Sequence, residues 1–242
     1  WRMKNGFENW FNTTYYHILY KNRNSDEAEF FLNNLLENLK PEKNHKFLDV
    51  ACGKGRHAIF INKKGYEIEG IDLSKESIDY ASQFSNDKLS FKVHDMRSTY
   101  KKEEFNFLLN MFTSFGYFDK PSDNFKAIQA MANNIKKGGK VVLDFMNAKK
   151  VVKDLVKSES KTVDNIQFNI KRSYENGFLL KDIYFIDKQK FHFQEKVQAL
   201  TLSDFIYLFE EAGLKIINLW GDYSLVDYNA INSPRLIILA QK

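Results

Sequence analysis

A single cysteine among 242 residues excludes any disulfide within the chain, and a reducing compartment, the cytoplasm, is the setting this implies. No apolar run approaches the roughly 20 residues that cross a bilayer, and the opening Trp1-Arg2-Met3-Lys4-Asn5-Gly6 holds no apolar core of signal-peptide length. A membrane partner is therefore not expected. The five histidines, at 17, 45, 57, 94 and 192, fall at no metal-ligand spacing, and Asp144 with Asn147 is too thin a pair for a Mg²⁺ site, so no metal is expected either. Charge of one sign is also scarce. Lys and Arg number 36 against 31 Asp and Glu, but the excess of +5 is scattered, with no basic block carrying interleaved aromatics, which disfavours a nucleic-acid partner.

What the chain does have is apolar and aromatic content, 43% and 15%, enough to bury the core of one large domain with an insertion. Strand and helix patterns alternate: helix 26–39, strand 46–51, helix 55–64, strand 67–72, helix 74–84, strands 89–94 and 105–112, helix 121–136 and strand 140–146. Continuous apolar runs such as Val141-Val142-Leu143 suit strands buried on both faces of a parallel sheet. Thr201-Leu202-Ser203-Asp204 caps a further helix that Gly213 stops, and strands near 214–220 and 235–240 close the sheet. The expected fold is α/β: a Rossmann-like, doubly wound, mostly parallel seven-stranded sheet. Between 158 and 200 the apolar period changes from 3.6 to 2, with turns at Asn176-Gly177 and Asp187-Lys188, predicting an antiparallel three-stranded insertion.

The most informative stretch is Leu48-Asp49-Val50-Ala51-Cys52-Gly53-Lys54-Gly55-Arg56-His57-Ala58, an apolar strand, a carboxylate, two glycines one residue apart and a helix start. Gly53 and Gly55 allow a tight turn and close approach of a ligand, and the helix presents its free N–H groups. The next strand runs into Asp72, 72 − 55 = 17 residues after Gly55 and near the offset of a ribose-binding acid. Dinucleotides and S-adenosylmethionine share this layout, and Asp49 discriminates between them: a carboxylate at the loop repels a pyrophosphate but suits an ammonium and a sulfonium.

Asp49-Val50-Ala51-Cys52-Gly53-Lys54-Gly55 resembles the D/E-x-G-x-G-x-G first motif of class I S-adenosylmethionine-dependent methyltransferases, departing from it at Ala51, where the family usually has a glycine. The resemblance covers nearly the whole chain and implies that Asp49, Ala51, Gly53 and Gly55 form the cofactor loop, and that Asp72 with Leu73 holds the ribose. It implies that Asp95 accepts from the adenine amino group with Met96 against the ring. It also places Asn110 and Met111, at the end of the fourth strand, facing the methyl group. An Asn-Pro-Pro-Tyr or Asp-Pro-Pro-Tyr signature is absent there, which weakens a reading as a nucleobase methyltransferase. Cys52, inside the loop, reads as a small packed residue rather than a nucleophile.

In related methyltransferases a Tyr-rich N-terminal helix lids the cofactor, and Tyr15, Tyr16, His17 and Tyr20 offer stacking surfaces with polar tips while Arg23 offers a partner for a carboxylate. The other reading is a helix packed on the sheet. The expected organisation is a methyltransferase domain over 1–157 and 201–242 with this lid, and an insertion over 158–200 that roofs the active site, a dimer contact being the other reading of that insertion. Methyl transfer is an in-line displacement that needs alignment in a dry pocket and a general base only for a protonated acceptor; His17, Tyr16, Tyr117, Glu195 and Tyr223 are the candidates by position. The expected substrate is a small molecule. Three other readings stay open: a nucleic-acid methyltransferase with a basic track beside the pocket, an NAD(P) dehydrogenase with pyrophosphate room beside Asp49, and a non-catalytic binding protein blocked on the methyl side.

Overall fold

The computed structural model describes residues 2–3, 10–21 and 25–242. In chain order the elements are β1 (Arg2–Met3), α1 (Thr14–Leu19), α2 (Ser25–Leu39), β2 (Lys46–Val50), α3 (Arg56–Lys63), β3 (Glu67–Asp72), α4 (Lys75–Ala81), β4 (Leu89–Val93), β5 (Phe105–Asn110), α5 (Pro121–Asn134) and β6 (Ile135–Met146). They continue with α6 (Ala148–Lys153), β7 (Ser158–Val163), β8 (Ile166–Glu175), β9 (Phe178–Asp187), β10 (Gln189–Gln198), α7 (Leu202–Glu211), β11 (Lys215–Trp220) and β12 (Arg235–Gln241).

The seven-stranded sheet has the order β11-β12-β6-β5-β2-β3-β4. β12 is antiparallel to both its neighbours, and the other strands run in one direction. Strand periodicity divides the core between its faces. Leu48 and Leu108 join Phe105, Phe145, Phe205 and Phe209 on one face, while Phe47, Phe107 and Leu109 join Phe31, Leu35 and Ile61 on the other. Each such fully buried side chain contributes about 1.5–3 kcal/mol relative to exposure. The helix caps are chemical: Pro121 opens α5, and Thr201 with Asp204 forms a capping box on α7.

Two expectations need correction. β6 begins at Ile135 directly after α5, so Gly138-Gly139 lies inside the strand, where the pairing with β5 shifts register. The insertion contains four strands rather than three. β7 reads Ser-Glu-Ser-Lys-Thr-Val and is exposed except at its last residue, so no apolar alternation marked it. β7 to β10 form an antiparallel meander, and β1 adds to β10 in parallel to complete a five-stranded sheet, order β1-β10-β9-β8-β7. Its own core joins Phe168, Ile183, Phe185 and Phe193 to Trp10 and Leu19 of the N-terminal segment. No helix among the described residues is long and apolar enough to cross a membrane.

Candidate active site

From β2 the chain proceeds to β3 and β4 on one side and later to β5 and β6 on the other, so the carboxyl ends of β2 and β5 flank the reversal point where open α/β sheets leave a crevice. A cavity of about 830 Å³ opens there. Its walls are the β2–α3 loop, the turns after β3, β4 and β5, the N-terminal segment from Phe11 to Lys21, and Tyr117, Phe118 and Glu195.

The loop residues Ala51, Gly53 and Gly55 all have positive φ, of 59°, 54° and 80°. Gly55 is required by packing, because an added Cβ would lie 2.6 Å from the Phe91 ring. At Gly53 an added Cβ meets nothing within 4 Å, so the space a side chain would fill is left for a ligand. Asp72 fixes this loop: its Oδ2 accepts from Gly53 N–H and its Oδ1 from Ser74 N–H, both at 2.8 Å. Ser74 Oγ in turn donates to Asn12 Oδ1 at 2.5 Å, tying the N-terminal segment to the ribose-acid turn.

Asp49 is 1% exposed, and its Oδ2 has no hydrogen-bond partner among the described residues. Burial first, and then the charge of Asp72, push its carboxyl up to about 8. Asp49 does not itself line the cavity, but a buried carboxyl with an unpartnered oxygen, two residues from the loop that does, suits a ligand bearing positive charge. Asn110 is fully buried and bridges β5 to β2 by donating from Nδ2 to Val50 O at 3.0 Å. Asn110 does not line the cavity, whereas Met111 does. Leu73 and Met96 also line the cavity. Asp95 lines it with both oxygens taken by Arg97, at 2.6–3.0 Å, and the guanidinium holds its carboxyl below the usual range. An adenine amino group would have to share those oxygens.

Of the remaining predicted residues, Tyr16, His17, Tyr20, Tyr117 and Glu195 are brought together in the cavity wall. Burial, and then the nearby Lys54, lower His17 to about 4, so its imidazole is neutral at pH 7, and Nε2 is covered without a hydrogen-bond partner among the described residues. Glu195 Oε1 accepts from Trp10 Nε1 at 2.7 Å and from Tyr20 OH at 2.5 Å, with Lys181 Nζ 3.6 Å from Oε2. Two residues lie elsewhere. Tyr15 packs on Phe185 and Phe191 of the smaller sheet and donates to Asp187. Tyr223 stacks on Phe31 and donates to Asp144 at 3.2 Å, and burial holds its hydroxyl well above the usual range. Arg23 falls outside the described residues.

Sequence reasoning missed the support behind Phe112 and Thr113. These consecutive residues after β5 line the cavity in the left-handed region, at φ 56° and 59°. Asp144, fully buried, accepts from Phe112 N–H at 2.8 Å, while Arg235 donates to Asp144 at 2.9 Å and to Thr113 Oγ1 at 2.9 Å. The 91 positions between Asp144 and Arg235 left no local signal of the pair. His57 was also missed: its ring lies flat on Phe112, 5.1 Å between centroids and 6° between planes.

A methyltransferase-domain family model matches residues 47–139, the segment that carries the glycine loop, Asp72, Asp95 and the fourth strand. The family match, the relatives and the structural neighbours support a class I S-adenosylmethionine-dependent methyltransferase. CalS10, an amino pentose methyltransferase from Micromonospora echinaspora solved with S-adenosylmethionine bound, superposes with a TM-score of 0.71 at 16% identity, covering 95% of this chain and 98% of that one. The chain is 26% identical to the dTDP-3-amino-3,4,6-trideoxy-alpha-D-glucopyranose N,N-dimethyltransferase of Streptomyces venezuelae, over 85% of this chain and 91% of that one. It is 25% identical to the glycine/sarcosine N-methyltransferase of Aphanothece halophytica, over 83% and 76%. Among solved structures, an S-adenosylmethionine-dependent methyltransferase from Clostridium acetobutylicum superposes with a TM-score of 0.78 at 18% identity, covering 98% of this chain and 99% of that one. The likeness of fold extends through both sheets of the methyltransferase.

Proposed function

We propose that this enzyme methylates the nitrogen of a small-molecule amine. The observation that carries the reading is His17, an uncharged imidazole with an unpartnered Nε2, set among Tyr16, Tyr20 and Tyr117 in the cavity wall. S-adenosylmethionine supplies an electrophilic methyl group open to in-line displacement. Within the cavity the protein's task is alignment and exclusion of water. The amine enters in its uncharged form, its ammonium having lost a proton to solvent. Neutral His17 accepts a hydrogen bond from the amine N–H and so turns the nitrogen lone pair toward the methyl side, where Met111 and Phe112 line the cavity. The methylated product leaves as the ammonium. The rings of Tyr16 and Tyr117, 5.0 and 5.4 Å from that of Phe11 between them, favour the charge that nitrogen gains as it is alkylated. The carboxylate of Glu195 acts in the same sense. A hydroxyl acceptor would instead need a base to remove its proton, and a nitrogen that titrates near 4 is too weak for that.

In this reading the segment 158–200 roofs the acceptor end by supplying Glu195, and the N-terminal segment is the lid. Two relatives with known acceptors, an amino-sugar dimethyltransferase and a glycine/sarcosine methyltransferase, also act on nitrogen. The test is transfer of labelled methyl from S-adenosylmethionine to a panel of amino sugars, their nucleotide derivatives and small amino acids, alongside hydroxyl counterparts and RNA. Incorporation into amines and not into their hydroxyl counterparts is expected; labelling of hydroxyls or RNA alone would overturn the reading.

A further inference from the structure

We propose that cofactor binding to this protein is coupled to release of a proton: Asp49 is protonated in the ligand-free chain and ionises as the ammonium of the bound cofactor arrives. The inference rests on the S-adenosylmethionine site described above and concerns the charge state of the carboxyl beneath it.

The environment of Asp49 is built from every side. From α3 come the Ala58 N–H, the Arg56 guanidinium and the His57 imidazole; from β3 comes Asp72; from the loop comes Cys52. Arg56 Nε donates to His57 Nε2 at 3.0 Å, so that nitrogen carries no proton, and a neutral His57 bears its proton on Nδ1. Nδ1 stands 3.9 Å from Asp49 Oδ2, beyond hydrogen-bond reach, and the flat stack on Phe112 holds the ring there. His57 therefore neither supplies a counter-cation nor completes the acceptor. Burial raises the Asp72 carboxyl too, but unlike Asp49 it has backbone N–H donors on both oxygens, and these draw it back toward its ionised form. A second negative charge beside it, buried and with Oδ2 unpartnered, is unfavourable until a cation arrives. Burial and Asp72 push the Asp49 carboxyl up to about 8, so at pH 7 the protonated form prevails. The exchange balances: carboxylic acid plus ligand ammonium gives carboxylate paired with ammonium, and one proton passes to the buffer.

The experiment is calorimetric titration of the whole chain with S-adenosylhomocysteine, the demethylated cofactor bearing the same ammonium, in phosphate and in Tris at pH 7. Tris binds a released proton with much more heat, so binding should be more exothermic in Tris, by the equivalent of close to one proton per site. The Kd should fall about tenfold from pH 6 to pH 7 and level off above pH 8. 5′-Methylthioadenosine, which keeps the adenosine but lacks the amino-acid end, separates the two acids. It should bind with equal heats in the two buffers; if it releases a proton as S-adenosylhomocysteine does, the proton belongs to Asp72 and the proposal is overturned. Asp49→Asn should abolish the buffer dependence, whereas Asp72→Asn, which removes only the second cause of the raised carboxyl and leaves burial, should keep part of it. Equal heats for S-adenosylhomocysteine in both buffers would sink the proposal and leave the cofactor site standing, whereas no binding of either ligand would sink the cofactor site itself.

Discussion

The indole N–H of Trp10 meets the carboxylate of Glu195 at 2.7 Å across 185 positions of sequence. This bond fastens the N-terminal segment to the smaller sheet rather than to the nucleotide fold. Trp10 is 1% exposed and its ring sits 4.7 Å from that of Phe193. A segment that closes one side of the cavity thus takes its footing from the insertion opposite.

Glu195→Leu should therefore strip two donors, Trp10 Nε1 and Tyr20 OH, of their shared acceptor and remove the carboxylate beside Lys181. A loss of about 2–4 kcal/mol is expected in urea denaturation. Amide exchange should quicken over residues 10–21 and in β10 while β2, β3 and β5 keep their protection. Uniform loosening of both sheets would show that the bond does not act locally.

How much of this was legible in the sequence follows from where each signal resides. The glycine loop, Asp72 and the buried strands announce themselves within windows of a few residues, because a tight turn needs glycine and a doubly covered strand needs an unbroken apolar run. β7 was hidden, since a polar edge strand is fixed by its partner β8 and not by its own pattern. The docking of Tyr15 on Phe185 and Phe191, and of Tyr223 on Phe31, was hidden for the same reason: aromatic residues with polar tips look alike whether they face a ligand or a core. The Asp144–Arg235 support joins distant parts of the chain and has no sequence period at all.

Ala51 occupies a left-handed conformation, φ 59°, at the position where the family usually has glycine. Ala51→Gly should relieve strain of about 1–2 kcal/mol, and the extra freedom of glycine in the unfolded chain returns roughly half of it. A net gain of about 0.5–1 kcal/mol is expected, read as a higher Tm with S-adenosylhomocysteine affinity unchanged within twofold. A lower Tm would show that the Cβ makes a contact worth more than the strain.

Arg235→Met should be among the more damaging single changes, because Asp144 has no exposed surface through which to regain solvent. Removing one partner of a buried ion pair costs about 3–5 kcal/mol. Thr113 and Phe112, held at positive φ by this pair, should relax with it. The double variant Asp144→Asn with Arg235→Met removes the uncompensated charge and should recover part of the loss in denaturation experiments; a double variant no better than the single one would locate the cost in packing.

The last expectation concerns acid. His17 titrates near 4 in the folded chain, against about 6.5 when unfolded, so between these values the unfolded chain binds the proton first. The contribution of His17 is thus complete above pH 6.5 and is lost as pH falls through 6.5 toward 4. With the residue partly exposed and solvent screening the charge, this amounts to about 1–2 kcal/mol. His17→Phe should flatten the stability profile in that window, and the wild-type imidazole, followed by NMR, should stay neutral down to about pH 5. An imidazole that protonates near 6.5 would show that the covered Nε2 is open to water. It would also remove the reason for placing a neutral acceptor at the amine.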